Sequence, residues 1–231
     1  MSEHAMKDKV VLIAGGAKNL GGLVARDFAA SGARAITIHY NSDATKAAAE
    51  ETVAAIEAAG AKAFAVQGDL TQVSACRHLF KKPLVETTEA EFDQMFAVNT
   101  KSAYFFLQEA AKALNDGGKI CTIVTSLLGA FTGLYSTYAG AKAAVDQFTR
   151  AAAKELGPRG ISVTAVAPGP MDTPFFYGQE SPEAVAYHKS ASALGGLTDI
   201  KDIAPLVKFL VTDGWWITGQ TIFADGGYTT R

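Results

Sequence analysis

Cysteine is scarce in this chain: Cys76 and Cys121 are the only two in 231 residues, and two isolated thiols make no disulfide framework. The four histidines, His4, His39, His78 and His188, are scattered. Cys76 and His78 form a lone C-x-H pair without further ligands at metal-binding spacing, so no metal site is expected. Charge of one sign is also lacking. A formal net charge of −2 supplies neither the basic surface that binds nucleic acid nor the attraction to an anionic membrane. No run approaches the ~20 apolar residues that cross a bilayer, and the polar residues 1–9 contain no signal-peptide core. There is no internal repeat and no low-complexity linker. These absences lead to the expectation of a soluble, cytoplasmic protein with a small-molecule substrate, no nucleic-acid partner and no membrane partner.

What is present reads as a folded α/β chain. The hydrophobic fraction is 48%, too high for disorder, and the length suits one domain with a full core. Val10-Val11-Leu12-Ile13-Ala14 is a short apolar strand, and a glycine-rich turn and a helix follow it at once. A second strand over 35–40, an alanine-rich helix ending near Gly60 and a third strand over 63–66 come next. Residues 88–114 carry one long helical pattern, and Asp116-Gly117-Gly118 turns it into a strand that ends at Ser126. The helix over 138–156 buries Ala141, Val145, Phe148 and Ala152. A strand over 161–166, a helix over 202–210 and a strand over 220–224 complete the order. Strands alternating with amphipathic helices predict an α/β fold, a single doubly wound Rossmann domain whose parallel sheet has helices on both faces. It would span 10–231 behind a flexible stretch of residues 1–9.

The chemistry concentrates in Tyr138-Ala139-Gly140-Ala141-Lys142. Residues i and i+4 share a helix face, so the phenol and the ammonium stand together. An unperturbed tyrosine titrates near ~10; a neighbouring cation favours the phenolate, lowers that value and readies the group for proton transfer. Ser126, at the end of the buried strand 120–125, is placed to hydrogen-bond a substrate oxygen. Alone, a YxxxK pair is more often an ordinary helix surface. The glycine turn changes the odds: Gly15, Gly21 and Gly22 lie between the first strand and the first helix, where exposed N–H groups and the helix dipole favour a pyrophosphate.

This spacing, Ala14-Gly15-Gly16-Ala17-Lys18-Asn19-Leu20-Gly21, resembles the TGxxxGxG loop of the short-chain dehydrogenase/reductase family. Ala14 stands in place of the threonine and Asn19 in place of the middle glycine; asparagine tolerates the left-handed backbone better than most residues. Other family-like motifs follow in order. Asp69-Leu70 resembles the pair that contacts adenine, and Asn99 the helix asparagine of a water relay to the lysine. Ser126, Tyr138 and Lys142 match the catalytic trio. Pro168-Gly169 resembles the turn under the nicotinamide, with Met171 and Thr173 at its carboxamide. Thr218-Gly219-Gln220 and Asp225-Gly226-Gly227 resemble the C-terminal strand and its flanks.

The resemblance implies hydride transfer between a nicotinamide and a carbonyl. Ser126 would orient the carbonyl, Tyr138 would donate the proton, and Lys142 would act on Tyr138 and hold ribose hydroxyls. It points to 3-oxoacyl-carrier-protein-reductase-type members, with an alcohol or sugar dehydrogenase or a catalytically silent dinucleotide sensor as alternatives. The second strand ends His39-Tyr40-Asn41-Ser42 without a carboxylate, and Lys18 sits in the glycine loop. Asn41, Ser42 and Lys18 therefore favour NADP(H) over NAD(H). Leu127, Leu128 and Phe131, with Phe175, Phe176, Tyr177 and Tyr187 of a substrate loop over 174–196, suggest an apolar substrate pocket, which Trp215-Trp216 would join or else bury against a subunit. Apolar surface on the helices 88–114 and 138–156 suggests a homo-oligomer, a tetramer or a dimer.

One family element is missing. No strand with an NNAG-like turn lies between Asp69 and the Asn99 helix, although the resemblance implies a sheet order of 3-2-1-4-5. The printed sequence is therefore expected to be discontinuous near Phe80 to Pro83, with a smaller join near Leu194-Gly195.

Overall fold

Six parallel strands and the helices between them follow the expected order. The computed structural model describes residues 4–69 and 81–230. Along the chain come β1 (Val10–Ile13), α1 (Asn19–Ala30), β2 (Ala35–Tyr40), α2 (Lys46–Ala58) and β3 (Lys62–Gln67). Then follow α3 (Glu89–Phe96), α4 (Ser102–Ala113), β4 (Lys119–Ile123), α5 (Leu127–Ala130), α6 (Ser136–Leu156) and β5 (Ser162–Pro168). The order closes with α7 (Pro174–Tyr177), α8 (Pro182–Ala191), α9 (Ile200–Val211) and β6 (Thr221–Ala224). This is the Rossmann-like α/β architecture the alternation predicted. The residues fall into two compact units, 1–70 with 200–214 and 71–199 with 215–231.

In the first unit β1, β2 and β3 form a parallel sheet in that order. Ile36 and Ile38 are completely buried on one face. The register places Val10 and Leu12 beside Ala35 and Thr37, and Phe64 and Val66 beside Thr37 and His39, so these residues share the other face. Val10, Leu12, Phe64 and Val66 are each more than half exposed. Parallel sheets are normally covered on both sides; among the described residues this face is open. α9 packs on α1, with Lys208 Nζ 3.2 Å from Asp27 Oδ1.

The second unit holds β4, β5 and β6, also parallel and in that order. Every residue of β5 is buried, as expected of a strand between two others with helices above. Two apolar clusters hold it: Leu107, Ile120, Ala153, Ile161 and Val163, and Val124, Val145, Ala165 and Ala167. Phe148 and Ala152 pack against the first of these from partly exposed positions. The long helix expected over 88–114 has a defect at its centre. Thr88 caps α3 through a reciprocal bond with Glu91, and Ala97–Lys101 then forms a π-helical turn before α4 resumes. Such turns mark functional positions in helices, and this one carries Asn99.

Among the described residues the two sheets contain only these strands. Of the join expected near Phe80 to Pro83, Phe80 lies outside the described residues; Lys82 N–H donates to the Leu134 carbonyl at 2.9 Å, and the chain then runs into a 3-10 turn at Leu84–Glu86. The chain passes through Leu194 to Gly196 in a hydrogen-bonded turn, with Gly195 N–H on the Ser192 carbonyl at 3.0 Å.

Candidate active site

Strand ends position the catalytic candidates. β4 and β5 run side by side, and Ser126 N–H donates to the Pro168 carbonyl at 2.9 Å. The serine thus lies next to the Pro168-Gly169 turn. Its own carbonyl accepts from Gly129 N–H at 2.8 Å and Ala130 N–H at 3.0 Å, which starts α5. Ser126 is 2% exposed. Gly169 has no room for a side chain, because a Cβ there would lie 2.6 Å from Thr198 Oγ1 and 3.1 Å from Asp225 Cα. Thr173 is buried, and its hydroxyl donates to the Met171 carbonyl at 3.5 Å.

α6 turns Ala141, Val145, Thr149 and Ala153 into the core, and that spacing carries Tyr138 and Lys142 towards the end of β4. Lys142 Nζ donates to the Ile123 carbonyl at 3.1 Å and stands 5.9 Å from the Tyr138 ring centroid. The phenol shares a hydrogen bond with the hydroxyl of Thr125. Burial dominates the titration of both groups. It pushes Tyr138 up to about 12, against the opposing Thr125 bond, and pushes Lys142 down to about 8. The expectation of a lowered tyrosine is thereby corrected: desolvation of the phenolate outweighs the cation, whose hydrogen bond goes to a backbone carbonyl.

Asn99 lies in the π turn with its Nδ2 donating to the Met95 carbonyl and approaching Met95 Sδ, both at 3.2 Å. Its neighbour Thr100 donates to the Ala141 carbonyl at 3.0 Å, so the π turn is tied to α6 one residue before Lys142. Of the expected apolar lining, Leu127 and Leu128 are partly buried. Phe131 is 83% exposed. Phe131 and Leu134 have φ of 50° and 72°, left-handed values that cost energy in bulky residues and cluster at functional segments. Both stand between Ser126 and Tyr138.

In the first unit the glycine loop has the geometry a pyrophosphate requires. Gly15 and Asn19 adopt φ of 67° and 51°, so the asparagine takes the left-handed role expected of it. A Cβ on Gly21 would lie 2.3 Å from the Gly15 carbonyl oxygen, a cradle only glycine can line. Leu20 is buried, while Lys18 at the N-cap of α1 is exposed and the first turn of α1 has no acidic residue. Asn41 is exposed, Ser42 is partly so, and Asp69 is exposed beyond β3; Leu70 lies outside the described residues. These features fit a dinucleotide phosphate.

Sequence reasoning missed two polar partners. Thr125 gave no signal beyond preceding Ser126. His39 was read only as a strand end, yet its Nδ1 accepts from Gly15 N–H at 3.4 Å and its Nε2 bonds the Gly68 carbonyl at 2.6 Å.

Comparison with known proteins agrees with this geometry. A family model described as short chain dehydrogenase matches residues 9–86, and one described as Enoyl-(Acyl carrier protein) reductase matches residues 75–229. The chain is 33% identical to an NADPH-dependent aldehyde reductase-like chloroplastic protein of Arabidopsis thaliana, over 257 aligned positions covering 95% of this chain and 94% of the relative. A Burkholderia cenocepacia protein crystallised with bound NADP is 58% identical, with a TM-score of 0.94 and coverage of 99% of this chain and 96% of that one. The reductase LugOII, which catalyses a keto-reduction in lugdunomycin biosynthesis, is 30% identical with a TM-score of 0.85, covering 97% of this chain and 99% of its own. Similarity of this extent over nearly the whole length has one reading: the chain belongs to the short-chain dehydrogenase/reductase family, oxidoreductases that act on C=O and CH–OH groups with NAD(P).

Proposed function

We propose that this protein reduces the carbonyl of a small molecule, a ketone or a 3-oxoacyl group, to a secondary alcohol with NADPH. The observation that carries this reading is the geometry at the end of β4: Lys142 Nζ donates to the Ile123 carbonyl at 3.1 Å and stands 5.9 Å from the Tyr138 ring centroid, while Ser126 lies beside the Pro168-Gly169 turn. The reducing direction is supported by the reductase names of the relatives, and the buried phenol holds a proton to donate.

NADPH, when bound, supplies the hydride. The pyrophosphate would rest on the Gly15–Gly21 loop, with Lys18, Asn41 and Ser42 near the 2′-phosphate and Asp69 and Leu70 near the adenine. Pro168, Gly169, Met171 and Thr173 are proposed for the nicotinamide. Three features support NADP(H): an exposed lysine at the N-cap of α1, no carboxylate from His39 to Ser42, and NADP bound by the Burkholderia cenocepacia relative.

Ser126 would hydrogen-bond the carbonyl oxygen and fix its orientation. Tyr138 would protonate that oxygen as negative charge develops. Lys142 would stabilise the phenolate left behind, and Asn99 would hold a water through which that proton is replaced. The proposed location is the cytoplasm; no helix among the described residues is long and apolar enough to cross a membrane.

The test is NADPH absorbance with a panel of ketones, aldehydes and 3-oxoacyl thioesters, run on the parent and on Tyr138→Phe. General acid catalysis is typically worth 10²–10⁴-fold, so turnover should fall by about that factor while NADPH binding survives. Near-parental turnover in the variant would remove Tyr138 from the chemistry, and equal affinities for NADPH and NADH would overturn the cofactor reading.

A further inference from the structure

Glu180 lies between α7 and α8 in the proposed substrate loop, yet its side chain is only 2% exposed. A carboxylate withdrawn from water this far is costly unless charged and polar partners replace the hydration. The structure supplies them from three other places in the second unit. Lys81 Nζ sits 2.5 Å from Glu180 Oε2, from a segment that leads towards α3. The Tyr135 hydroxyl donates to Glu180 Oε1, from the residue immediately before α6. His188 Nε2 approaches Oε2 at 3.8 Å, while its Nδ1 bonds the Tyr228 hydroxyl at 3.0 Å.

The partners are themselves held. Lys81 Nζ lies 5.5 Å from the Tyr135 ring centroid, a cation–π distance. Tyr135 is 5% exposed, and burial together with the facing carboxylate pushes its phenol well above the usual tyrosine range. Tyr135 also accepts from Ala139 N–H at 2.8 Å through its carbonyl, so its position sets the start of the helix that carries Tyr138 three residues later. The left-handed backbone of Leu134 directly precedes it, and the Leu134 carbonyl accepts from Lys82 N–H at 2.9 Å.

Nothing in hydride or proton transfer needs this cluster. What it does physically is fasten a loop of two short helices to the helix that bears the general acid. We propose that Glu180 is a positioning residue: through Lys81 and Tyr135 it latches the 174–191 loop onto the N-terminal end of α6 and so sets the affinity for the carbonyl substrate. The proposal rests on the reductase reading, which it deepens by locating the control of substrate binding.

The experiment compares the parent, Tyr135→Phe, Glu180→Gln and Glu180→Asp. Tyr135→Phe leaves the Lys81–Glu180 pair intact and deletes one hydrogen bond, so it tests the latch even where a Glu180 variant fails to fold. Losing a hydrogen bond to a charged group corresponds to roughly tenfold or more. KM for the carbonyl substrate should therefore rise about tenfold in Tyr135→Phe and Glu180→Gln, with kcat and NADPH affinity within about twofold of the parent. Glu180→Asp should recover part of the loss. Limited proteolysis should cleave within 174–191 faster in both latch variants. An unchanged KM with unchanged cleavage in Tyr135→Phe overturns the proposal, as does a fall in kcat at constant KM. If the parent turns over no carbonyl with NADPH, the reductase reading fails by itself, and the cleavage rates still decide whether the latch exists.

Discussion

At the scale of single residues, burial decides how the site titrates. Lys142 loses its proton as the pH rises through about 8, and Tyr138 keeps its own until about 12. Reduction needs the phenol protonated and the ammonium present. In the pH profile of kcat/KM for reduction, which reports the free enzyme, activity should therefore hold at neutral pH and fall above about 8. The limb belongs to Lys142 and not to Tyr138. Lys142→Arg keeps its charge throughout, because a guanidinium does not deprotonate in this range; its rate will be lower, but the limb should vanish. A limb that persists in the arginine variant would assign it to another group.

Secondary-structure elements show where local sequence suffices and where it does not. The glycine loop was legible: Asn19 adopts the left-handed backbone its type tolerates, and Gly21 lies where a side chain would strike the Gly15 carbonyl. The break in the 88–114 helix was not, because an apolar stripe has the same period on either side of a π turn. The face of the β1–β3 sheet that is open among the described residues is the most informative element-scale feature. Val10, Leu12, Phe64 and Val66 have a pattern made for burial, and a surface of that kind signals a missing cover. Alignment with the Arabidopsis thaliana relative runs over 257 positions, more than the 231 residues of this chain, so the relative has residues that are absent here. A strand of about 5 residues and a crossover of a dozen or more would fill the need. Peptide mapping of the protein purified from its source should find on the order of 20 additional residues near Phe80 to Pro83, and an intact mass to match. An intact mass equal to that of the printed sequence would show that the open face is real.

For the whole molecule, the exposed aromatics of α3 and α4 suggest assembly. Phe92 and Phe96 stack at 4.3 Å between centroids, and Tyr104 meets Phe148 edge-on at 5.0 Å. Phe92, Tyr104 and Phe105 nonetheless remain 44%, 44% and 49% exposed. Aromatics are enriched where interfaces form, and closed two-fold symmetry is the commonest way to cover such a face. Light scattering at micromolar concentration should return a dimer or tetramer mass, and Phe105→Glu should lower it. A monomer from the parent protein would refute assembly through these helices.

The linear sequence by itself determined the alternation of strands and helices, the glycine turn before α1, and the i, i+4 placement of Tyr138 and Lys142. Each of these depends on neighbours within a few residues, where backbone preference and hydrophobic period act directly. Only the tertiary structure decided what surrounds them. Thr125 reaches Tyr138 because β4 ends beneath α6, and Lys81 reaches Glu180 across 99 positions of chain. The direction of the Tyr138 shift followed the same rule. Sequence spacing could supply the cation, but how far the phenol is withdrawn from water is set by elements distant in the chain, and desolvation prevailed.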